Sequence, residues 1–471
     1  MSAGARLKQA WRWSREPSRR WAWYLAAGLL FLLVKRWPAP ELSPEARGAL
    51  AVFAAAGFLW GTNSLPLAVT GVLVLFLLPQ SGALPAKEVY AYFGSDAVFF
   101  ILGALILASP VMRSGLSTRL ALLAVRRFGE QPRRLVAALL FTPALMAFFV
   151  SEHAVVAMLF PLVVELLRAA RARPGERLGT VLFLALAWGA IIGGTATLLG
   201  GARAPLALGV LEAATGARIG FLPWLLATLP VVAGLLFAAL FLLWRLLPER
   251  GEALGLAQYL EARVRAMGSF SSREKKTLGL MLFVIVLWIF LGEAWGLGSV
   301  ALFGVVLAFV IGVADWQEVE EDVNWGVFLM YGSAIALASA LKATGAAAFL
   351  AGAIFQGVGS PFLALAGVVF LALFLTEAMS NAAAVAVLMP VALAVAATYG
   401  LGPEATTLAV AVPAGLAFLL PVSTPAIAIV VGSGYVRPME AFRHGLVLKG
   451  LGFVFFLLVA FFYWPRVGFG G

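Results

Sequence analysis

The sequence predicts an all-α polytopic membrane protein of about 11 transmembrane helices and two re-entrant hairpins, arranged as two inverted-topology repeats. Three observations predict this class. Hydrophobic residues make up 62% of the 471 residues and charged residues only 12%, a composition that a water-soluble domain cannot bury. Short basic loops separate the apolar segments. One broken apolar segment occurs twice, at a spacing of 229 residues.

The second broken segment, Leu375 to Ala397, places Ser380 and Asn381 between two apolar arms of about twelve residues each. A helix that spans a bilayer needs roughly twenty apolar residues, so arms of this length are expected to be too short to cross. A polar break at membrane depth is tolerated where it lines a cavity. The segment therefore predicts a re-entrant hairpin, 361–397.

The first broken segment, Leu145 to Leu167, matches the second, because Ser151 aligns with Ser380 and Pro161 aligns with Pro390. Two such elements in the two halves of a membrane chain are typical of a transporter. Span five is also expected to unwind, since small and polar residues interrupt it at 191–201.

The net charge of +11 is distributed in short runs between apolar segments, which indicates membrane topology and not a nucleic-acid partner. Segment 1–20 carries six Lys or Arg, so we expect a cytoplasmic N-terminus and, after eleven spans, an external C-terminus in a multi-pass protein of the cell membrane. The chain contains no cysteine, which excludes thiolate metal sites and cysteine nucleophiles, and no cofactor is expected.

The first span and first repeat are predicted to occupy 21–247, a cytoplasmic connector 248–276, the second repeat 277–464 and a tail 465–471. The connector is expected to contain a short helix, Ala253 to Met267. The eleven predicted spans are Trp21–Trp37, Ala46–Trp60, Leu65–Leu78, Asp96–Arg113, a span from Leu178, Trp224–Leu247, Thr277–Leu291, Leu297–Val313, Trp325–Leu341, Thr406–Ser433 and Leu446–Trp464.

Flanking charge predicts the side from which each hairpin enters. Arginines lie on both sides of hairpin 135–167, so it should enter from the cytoplasm and return. A single crossing helix is the alternative, but it would leave residues 151–153 at the bilayer centre. The flanks of hairpin 361–397, at 356–361 and 399–404, carry no Lys or Arg, so this hairpin should enter from outside. The two halves are therefore expected to be inverted.

These residues resemble the divalent anion/sodium symporter family over essentially the whole chain. The family's Ser-Asn-Thr tip signature is matched by 380–382 but is replaced at 151–153 by Ser-Glu-His. Its Thr-Pro-Pro-Asn breaks correspond to 421–425 and, with larger departures, to 200–204. The resemblance implies sodium-driven transport of di- or tricarboxylates or sulfate. It also implies a homodimer in which a transport domain slides through a scaffold in elevator fashion.

The family's binding residues carry over onto matching positions. The resemblance implies substrate contacts from the tips and breaks, at Ser151, Glu152, His153, Gly201, Ser380, Asn381, Ala382, Thr424 and Pro425. It implies one sodium site formed by Thr376, the Met379 carbonyl, Asn381 and Ser423. Glu377 is expected to hydrogen-bond the backbone of its own hairpin.

Three ionisable residues, Glu152, His153 and Arg203, replace the neutral residues of the family's other cation site. Charges inside a membrane are costly and indicate function. Arg203 paired with Glu152 or His153 could substitute for a sodium ion and give an exchanger or uniporter. Alternatively, Glu152 or His153 carries a proton, Glu152 ligates a cation, or a Glu–His hydrogen bond is purely structural.

The sequence argues against two other classes of function. An intramembrane hydrolase using Ser151, Glu152 and His153 is disfavoured, because consecutive side chains point in different directions and cannot form a relay. A passive channel is disfavoured because inverted broken repeats are transporter architecture. The expected partners are a small anionic substrate, the lipid bilayer and a second copy of the chain.

Overall fold

The computed structural model describes residues 17–128, 131–247 and 256–469, and within these ranges it contains helices and no strand. The predicted all-α class is therefore confirmed. The helices of the first half are α1 Pro17–Lys35, α2 Pro44–Thr62, α3 Leu67–Ser81, α4 Ala86–Ala91, α5 Asp96–Arg113, α6 Leu116–Phe128, α7 Pro132–Met146, α8 Glu152–Ala169, α9 Arg177–Gly193, α10 Arg203–Thr215 and α11 Phe221–Leu246.

The second half continues in the same order after the connector. Its helices are α12 Ala257–Ala266, α13 Ser272–Trp295, α14 Leu297–Val310, α15 Trp316–Asp322, α16 Trp325–Ala343, α17 Ala346–Phe355, α18 Pro361–Ala378, α19 Asn381–Tyr399, α20 Pro403–Ala411, α21 Pro425–Gly432 and α22 Pro438–Leu458.

Helices α2–α11 and α13–α22 form two repeats of the same helix order. Helices α16, α18 and α19 begin 229 positions after the starts of α5, α7 and α8, respectively. The spacing found from two serines and two prolines thus extends to whole helices. The inversion of one repeat relative to the other stays a prediction from loop charge.

The two repeats pack against each other through small residues. A Cβ atom added to Gly103 of α5 would lie 2.6 Å from the Cβ of Ala301 in α14, and one added to Gly71 of α3 would lie 2.5 Å from the Ser333 hydroxyl in α16. Backbones that approach this closely pack helices tightly without a hydrophobic driving force. Repeat one is therefore joined to repeat two at two equivalent contacts.

Both predicted hairpin breaks are confirmed. Helix α7 ends at Met146 and α8 begins at Glu152, while α18 ends at Ala378 and α19 begins at Asn381. The serine before each second arm is its N-cap, since Ser151 accepts from the amide of Ala154 (3.4 Å) and Ser380 from that of Ala383 (3.3 Å). Serine at the tip is thus explained by local helix chemistry.

The predicted arm length of the second hairpin was wrong. Helices α18 and α19 have 18 and 19 residues, and both are long and apolar enough to cross a membrane. Pro361 starts α18 at a position where proline is tolerated, and α19 continues through Pro390. The re-entrant path of this hairpin therefore stays a prediction that rests on the uncharged flanks.

The number of spans also stays a prediction. Among the described residues, seven helices are long and apolar enough to cross a membrane, and five shorter apolar helices accompany them. Helices α6, α10 and α17 were not anticipated. The connector helix begins at Ala257, and 248–255 lie outside the described residues. Helix α13 begins before the predicted Thr277, because Ser271 and Glu274 form a capping box.

The predicted unwinding of spans five and ten is confirmed. The chain is non-helical at 194–202 between α9 and α10, and at 416–424 between a short 3₁₀ turn after α20 and the start of α21. Residues 194–201 of the first segment are buried, and so are 416–419 and 423–424 of the second, whereas Val422 is exposed. We call them break one (194–202) and break two (416–424), and the residues around Ser151 and Ser380 tip one and tip two.

Candidate substrate and cation site

The two tips meet at equivalent residues of the two repeats. The Asn381 side-chain amide donates to Oε1 of Glu152 over 3.2 Å, and both side chains are buried. Each is the first residue of its helix. Asn381 and Glu152 are equivalent positions, 229 residues apart, so the predicted two-fold relation between the repeats would place its axis close to this contact. The tips therefore form a shared centre.

Glu152 pairs with Arg203, one of the two partners that the sequence left open. Nη1 of Arg203 donates to Oε2 of Glu152 over 3.0 Å, and the two side chains are 2% and 0% exposed. Nδ1 of His153 lies 3.7 Å from Oε1 of the same carboxylate. Both carboxylate oxygens thus face donors, and the strongest of these is a fixed cation.

Arg203 lies in a slot lined by two glycines. A Cβ atom on Gly201 of break one would lie 2.2 Å from Nη1, and one on Gly415, just before break two, would lie 2.1 Å from Nε. Any larger residue would displace the guanidinium. Gly201, expected to contact substrate, here provides space for Arg203. The buried Nη2 has no hydrogen-bond partner among the described residues.

Three oxygen atoms lie close together next to tip two. The Thr376 hydroxyl lies 2.7 Å from Oδ1 of Asn381 and 2.7 Å from the carbonyl of Ala414, and the Thr376 side chain is buried. A hydroxyl has one proton and can donate to only one of them at a time. Neutral oxygens are the type of ligand that a hard cation such as sodium prefers, and in this structure the Thr376 hydroxyl lies within hydrogen-bond distance of the other two oxygens.

The remaining predicted sodium ligands lie near this cluster in the chain but make other contacts. The Ser423 hydroxyl donates to the Leu420 carbonyl over 2.6 Å, within its own turn. Met379 follows α18 in an extended conformation, and its amide donates to the Leu375 carbonyl. The role of its own carbonyl as a ligand stays a prediction. The Ala414 carbonyl was not predicted, because the resemblance pointed to the Met379 carbonyl as the backbone ligand.

The predicted substrate residues divide into two layers. The accessible layer contains His153, whose side chain is 42% exposed, and Pro425, which is also exposed. Nδ1 of His153 lies 3.4 Å from the Thr424 hydroxyl. Three further residues at the tips are half-buried, namely Ser151, Ser380 and Ala382. Glu152 and Asn381 form the buried layer and are hydrogen-bonded to each other. The accessible surface of the tips is therefore formed by the exposed and half-buried residues.

Tip one is joined to break one by backbone contacts. The Glu152 amide donates to the Gly200 carbonyl over 3.0 Å, and the Thr197 hydroxyl donates to the Phe148 carbonyl over 2.7 Å. A Cβ atom on Gly194 would lie 2.8 Å from Oε2 of Glu152. Break one therefore packs directly against the buried carboxylate.

Tip two is joined to break two by Glu377. Its carboxylate accepts from the backbone amides of Phe418, Leu419 and Leu420 over 3.0–3.3 Å. The expectation that Glu377 binds its own hairpin was wrong, because its oxygens face the break instead. Lys449 of α22 also donates to this carboxylate, a contact that the sequence did not suggest.

Comparison with known proteins gives a family match over most of the chain. Residues 18–469 match the family described as the sodium:sulfate symporter transmembrane region. The sodium-dependent dicarboxylate transporter SdcS of Staphylococcus saprophyticus is 29% identical over 470 residues, covering 93% of this chain and 90% of that protein. The SdcS protein of Staphylococcus aureus is 27% identical with the same coverage.

Solved structures of transporters share the fold. The YdaH transporter of Alcanivorax borkumensis gives a TM-score of 0.53 at 15% identity, covering 86% of this chain and 100% of that one. MtrF of Neisseria gonorrhoeae gives 0.56 at 14% identity, covering 91% and 97%. The family match spans nearly the whole chain, including both tips and both breaks. The protein is a multi-pass membrane transporter, not an enzyme, and it belongs to the sodium:sulfate symporter family.

Proposed function

We propose that this protein is a secondary transporter of dicarboxylates in which the Arg203–Glu152 pair takes the place of a cation in the first half of the site. The observation that carries the proposal is the burial of this pair at the meeting point of the two tips. The relatives named sodium-dependent dicarboxylate transporters support the substrate class.

An anion is favoured by three helix N-termini that come together at the tips. Helices α8, α19 and α21 begin immediately after Ser151, Ser380 and Thr424, and each of these residues caps its helix. The contacts of Asn381 with Glu152 and of Thr424 with His153 bring the three termini together. Helix N-termini carry partial positive charge and unpaired amides, which stabilise a carboxylate.

The two halves of the site balance charge differently. In the first half, Arg203 contributes one positive charge and Glu152 one negative charge, so this pair is neutral without a bound ion. In the second half, Thr376, Asn381 and the Ala414 carbonyl present neutral oxygens, which would hold a sodium ion as co-substrate. Exchange therefore needs no cation at the first position.

A second candidate is proton coupling through His153. This side chain is accessible, lies 3.7 Å from Glu152 and contacts Thr424 at the tip surface. Histidine changes charge near physiological pH, so it suits proton transfer. Sulfate, which the family description names, is the alternative substrate.

Transport by purified protein in liposomes tests these proposals. We expect labelled succinate to exchange with internal succinate in the absence of ion gradients, and sodium to activate with the behaviour of a single site. Sodium activation with the cooperativity of two sites would contradict the role of Arg203. Accumulation driven by a proton gradient alone would favour His153, and uptake of sulfate without succinate would overturn the substrate class.

We further propose a homodimer that works by an elevator movement, with the tips and breaks carried together. The dense contacts between each tip and its break support movement as one unit. Cross-linking of neighbouring copies in the membrane tests the dimer, and a purified protein that remains a monomer in mild detergent and in lipid would contradict it.

A further inference from the structure

A second buried ion pair lies behind tip two, outside the surface that faces substrate. Lys449 of α22 is 1% exposed, and its ammonium donates to Oε1 of Glu377, whose side chain is 7% exposed. The same ammonium lies 5.8 Å from the ring centre of Phe374. A lysine at this depth is costly unless it is paired, so the contact with Glu377 accounts for its burial.

Glu377 uses its two oxygens to hold the backbone of break two. Oε1 accepts from the amides of Phe418 and Leu419 over 3.0 and 3.3 Å, and Oε2 accepts from those of Leu419 and Leu420 over 3.2 Å each. These amides belong to a non-helical buried segment and would otherwise lack partners. Charge-assisted bonds of this kind are about twice as strong as neutral ones.

The amides of 418–420, which Glu377 binds, lie between two residues of the candidate site, Ala414 and Thr424. The Ala414 carbonyl, which faces the oxygen cluster, precedes the break, and Thr424, which contacts His153, ends it. Helix α22 also packs closely here, because a Cβ atom on Gly445 would lie 2.5 Å from the Phe418 carbonyl. The conformation at 418–420 therefore sets where Ala414 and Thr424 lie.

The first repeat does not contain this clamp. The position equivalent to Glu377 is Phe148, which offers only its backbone carbonyl to the Thr197 hydroxyl of break one. The carboxylate clamp is thus a feature of the second half alone. It accompanies the half of the site in which Thr376, Asn381 and the Ala414 carbonyl present neutral oxygens.

We propose that Glu377 and Lys449 are positioning residues for the second half of the site. Glu377 fixes break two so that the Ala414 carbonyl reaches Thr376 and so that Thr424 reaches tip one. Lys449 neutralises the carboxylate that does this. The consequence for transport rests on the proposed function, whereas the consequence for the conformation of break two does not.

Cysteine labelling tests the conformational role directly, because the chain contains no native cysteine. Ala417 of break two and Ala196 of break one are both 0% exposed, and Ala417→Cys and Ala196→Cys provide a matched pair. We expect Glu377→Gln to increase the maleimide labelling rate at Ala417→Cys roughly tenfold, and to leave the rate at Ala196→Cys unchanged. Equal rates with and without Glu377→Gln would overturn the proposal, as would equal increases at both positions.

A double variant covers the case in which Glu377→Gln alone does not fold. Glu377→Gln with Lys449→Met removes both charges and leaves neither buried alone. It also removes the clamp, so labelling at Ala417→Cys should again rise roughly tenfold relative to the native pair. Native labelling rates in the double variant would contradict the positioning role.

Transport kinetics give the second readout. In succinate exchange we expect Glu377→Gln to raise KM roughly tenfold, with a smaller change in kcat per folded protein, because a displaced Thr424 weakens binding. An unchanged KM together with faster labelling would overturn the link to the substrate site. If the native protein fails to exchange succinate, the proposed function fails, while the labelling result still decides the clamp.

Discussion

Arg203 is the residue on which the first half of the site depends. Its guanidinium is bonded to a carboxylate that has no exposure, so removing it leaves Glu152 as a buried charge with only an amide and a histidine nearby. Breaking a buried pair by removing one partner costs about 3–5 kcal/mol. Replacing one partner is therefore expected to lower the stability of the protein more than replacing both.

We expect Arg203→Ala to lower the stability of the purified protein by about 3–5 kcal/mol and to impair both exchange and gradient-driven uptake. Glu152→Gln should also lower the stability, because it leaves Arg203 as a buried charge without its carboxylate, and in the folded fraction it should remove any proton-driven component and retain exchange. The double variant should recover part of the stability lost in Arg203→Ala, because no buried charge is left alone. Thermal unfolding measures the changes in stability, and succinate exchange measures the changes in transport. If all three variants transport as well as the native protein, Arg203 and Glu152 have no role in transport.

Gly201 gives a second prediction at the scale of single residues. Gly201→Ala places a methyl group 2.2 Å from Nη1 of Arg203, so the guanidinium must move away from Glu152. Transport should fall at least roughly tenfold, since misplacement by about 1 Å can cost more than this. Gly450→Ala in α22 is the matched control, because nothing lies within 4 Å of its added Cβ. Full transport by Gly201→Ala would contradict the glycine slot.

Helices α5 and α15 are joined by an ion pair at the end of the membrane region. Arg113 donates to both oxygens of Asp322 over 2.9 Å and to Glu321 over 2.8 Å, and Ser109 donates to Asp322 over 2.7 Å. The Arg113 guanidinium is the main cause that lowers the pKa of Asp322, and burial opposes it. The contact connects the first repeat to the second.

This pair predicts a pH dependence. Because the pKa of Asp322 is lowered by folding, its contribution to stability is present above the unfolded value of about 3.9 and is lost as the pH falls through the folded value. Asp322→Asn should therefore unfold more easily than native protein at pH 7, and the difference should disappear as the pH falls below about 4. A difference that stays constant across this range would show that the carboxylate charge is not involved.

At the scale of the whole molecule, the inverted arrangement can be tested by the side on which loops are exposed. Ser269 of the basic connector and Gln356 of the uncharged flank of hairpin two are both exposed to solvent. We expect Gln356→Cys to react with an impermeant maleimide on intact cells, and Ser269→Cys to react only after permeabilisation. Labelling of both from the same side would contradict the proposed topology.

Much of the fold could be predicted from local sequence. Both hairpin breaks were located at their serine caps, and both unwound segments were located by glycine, threonine and proline, because these residues act on the backbone next to them. The predicted bounds of hairpin 361–397 begin at Pro361, where α18 starts, but the estimate of about twelve residues for each arm was wrong, since α18 and α19 have 18 and 19 residues.

The candidate site was only partly predictable for the same reason. Glu152, His153 and Arg203 were recognisable as charges in an apolar context, and a pair of Arg203 with Glu152 or His153 was predicted, but the choice between these two neighbouring partners was not, because it depends on how segments 51 residues apart pack. Lys449 is 72 residues from Glu377 and follows the charged residues Glu440 and Arg443 in α22, so its sequence context did not set it apart. Ala414 contributes a carbonyl, which every residue type possesses.

The sequence by itself determined the membrane class, the two repeats, the polar tips and the family, because composition, periodicity and local breaks are properties of neighbouring residues. Only the tertiary structure decided that Glu152 and Asn381 touch, that Arg203 lies between two glycines, and that Glu377 holds break two. These contacts join segments far apart in the chain, and their geometry depends on how the two repeats pack against each other.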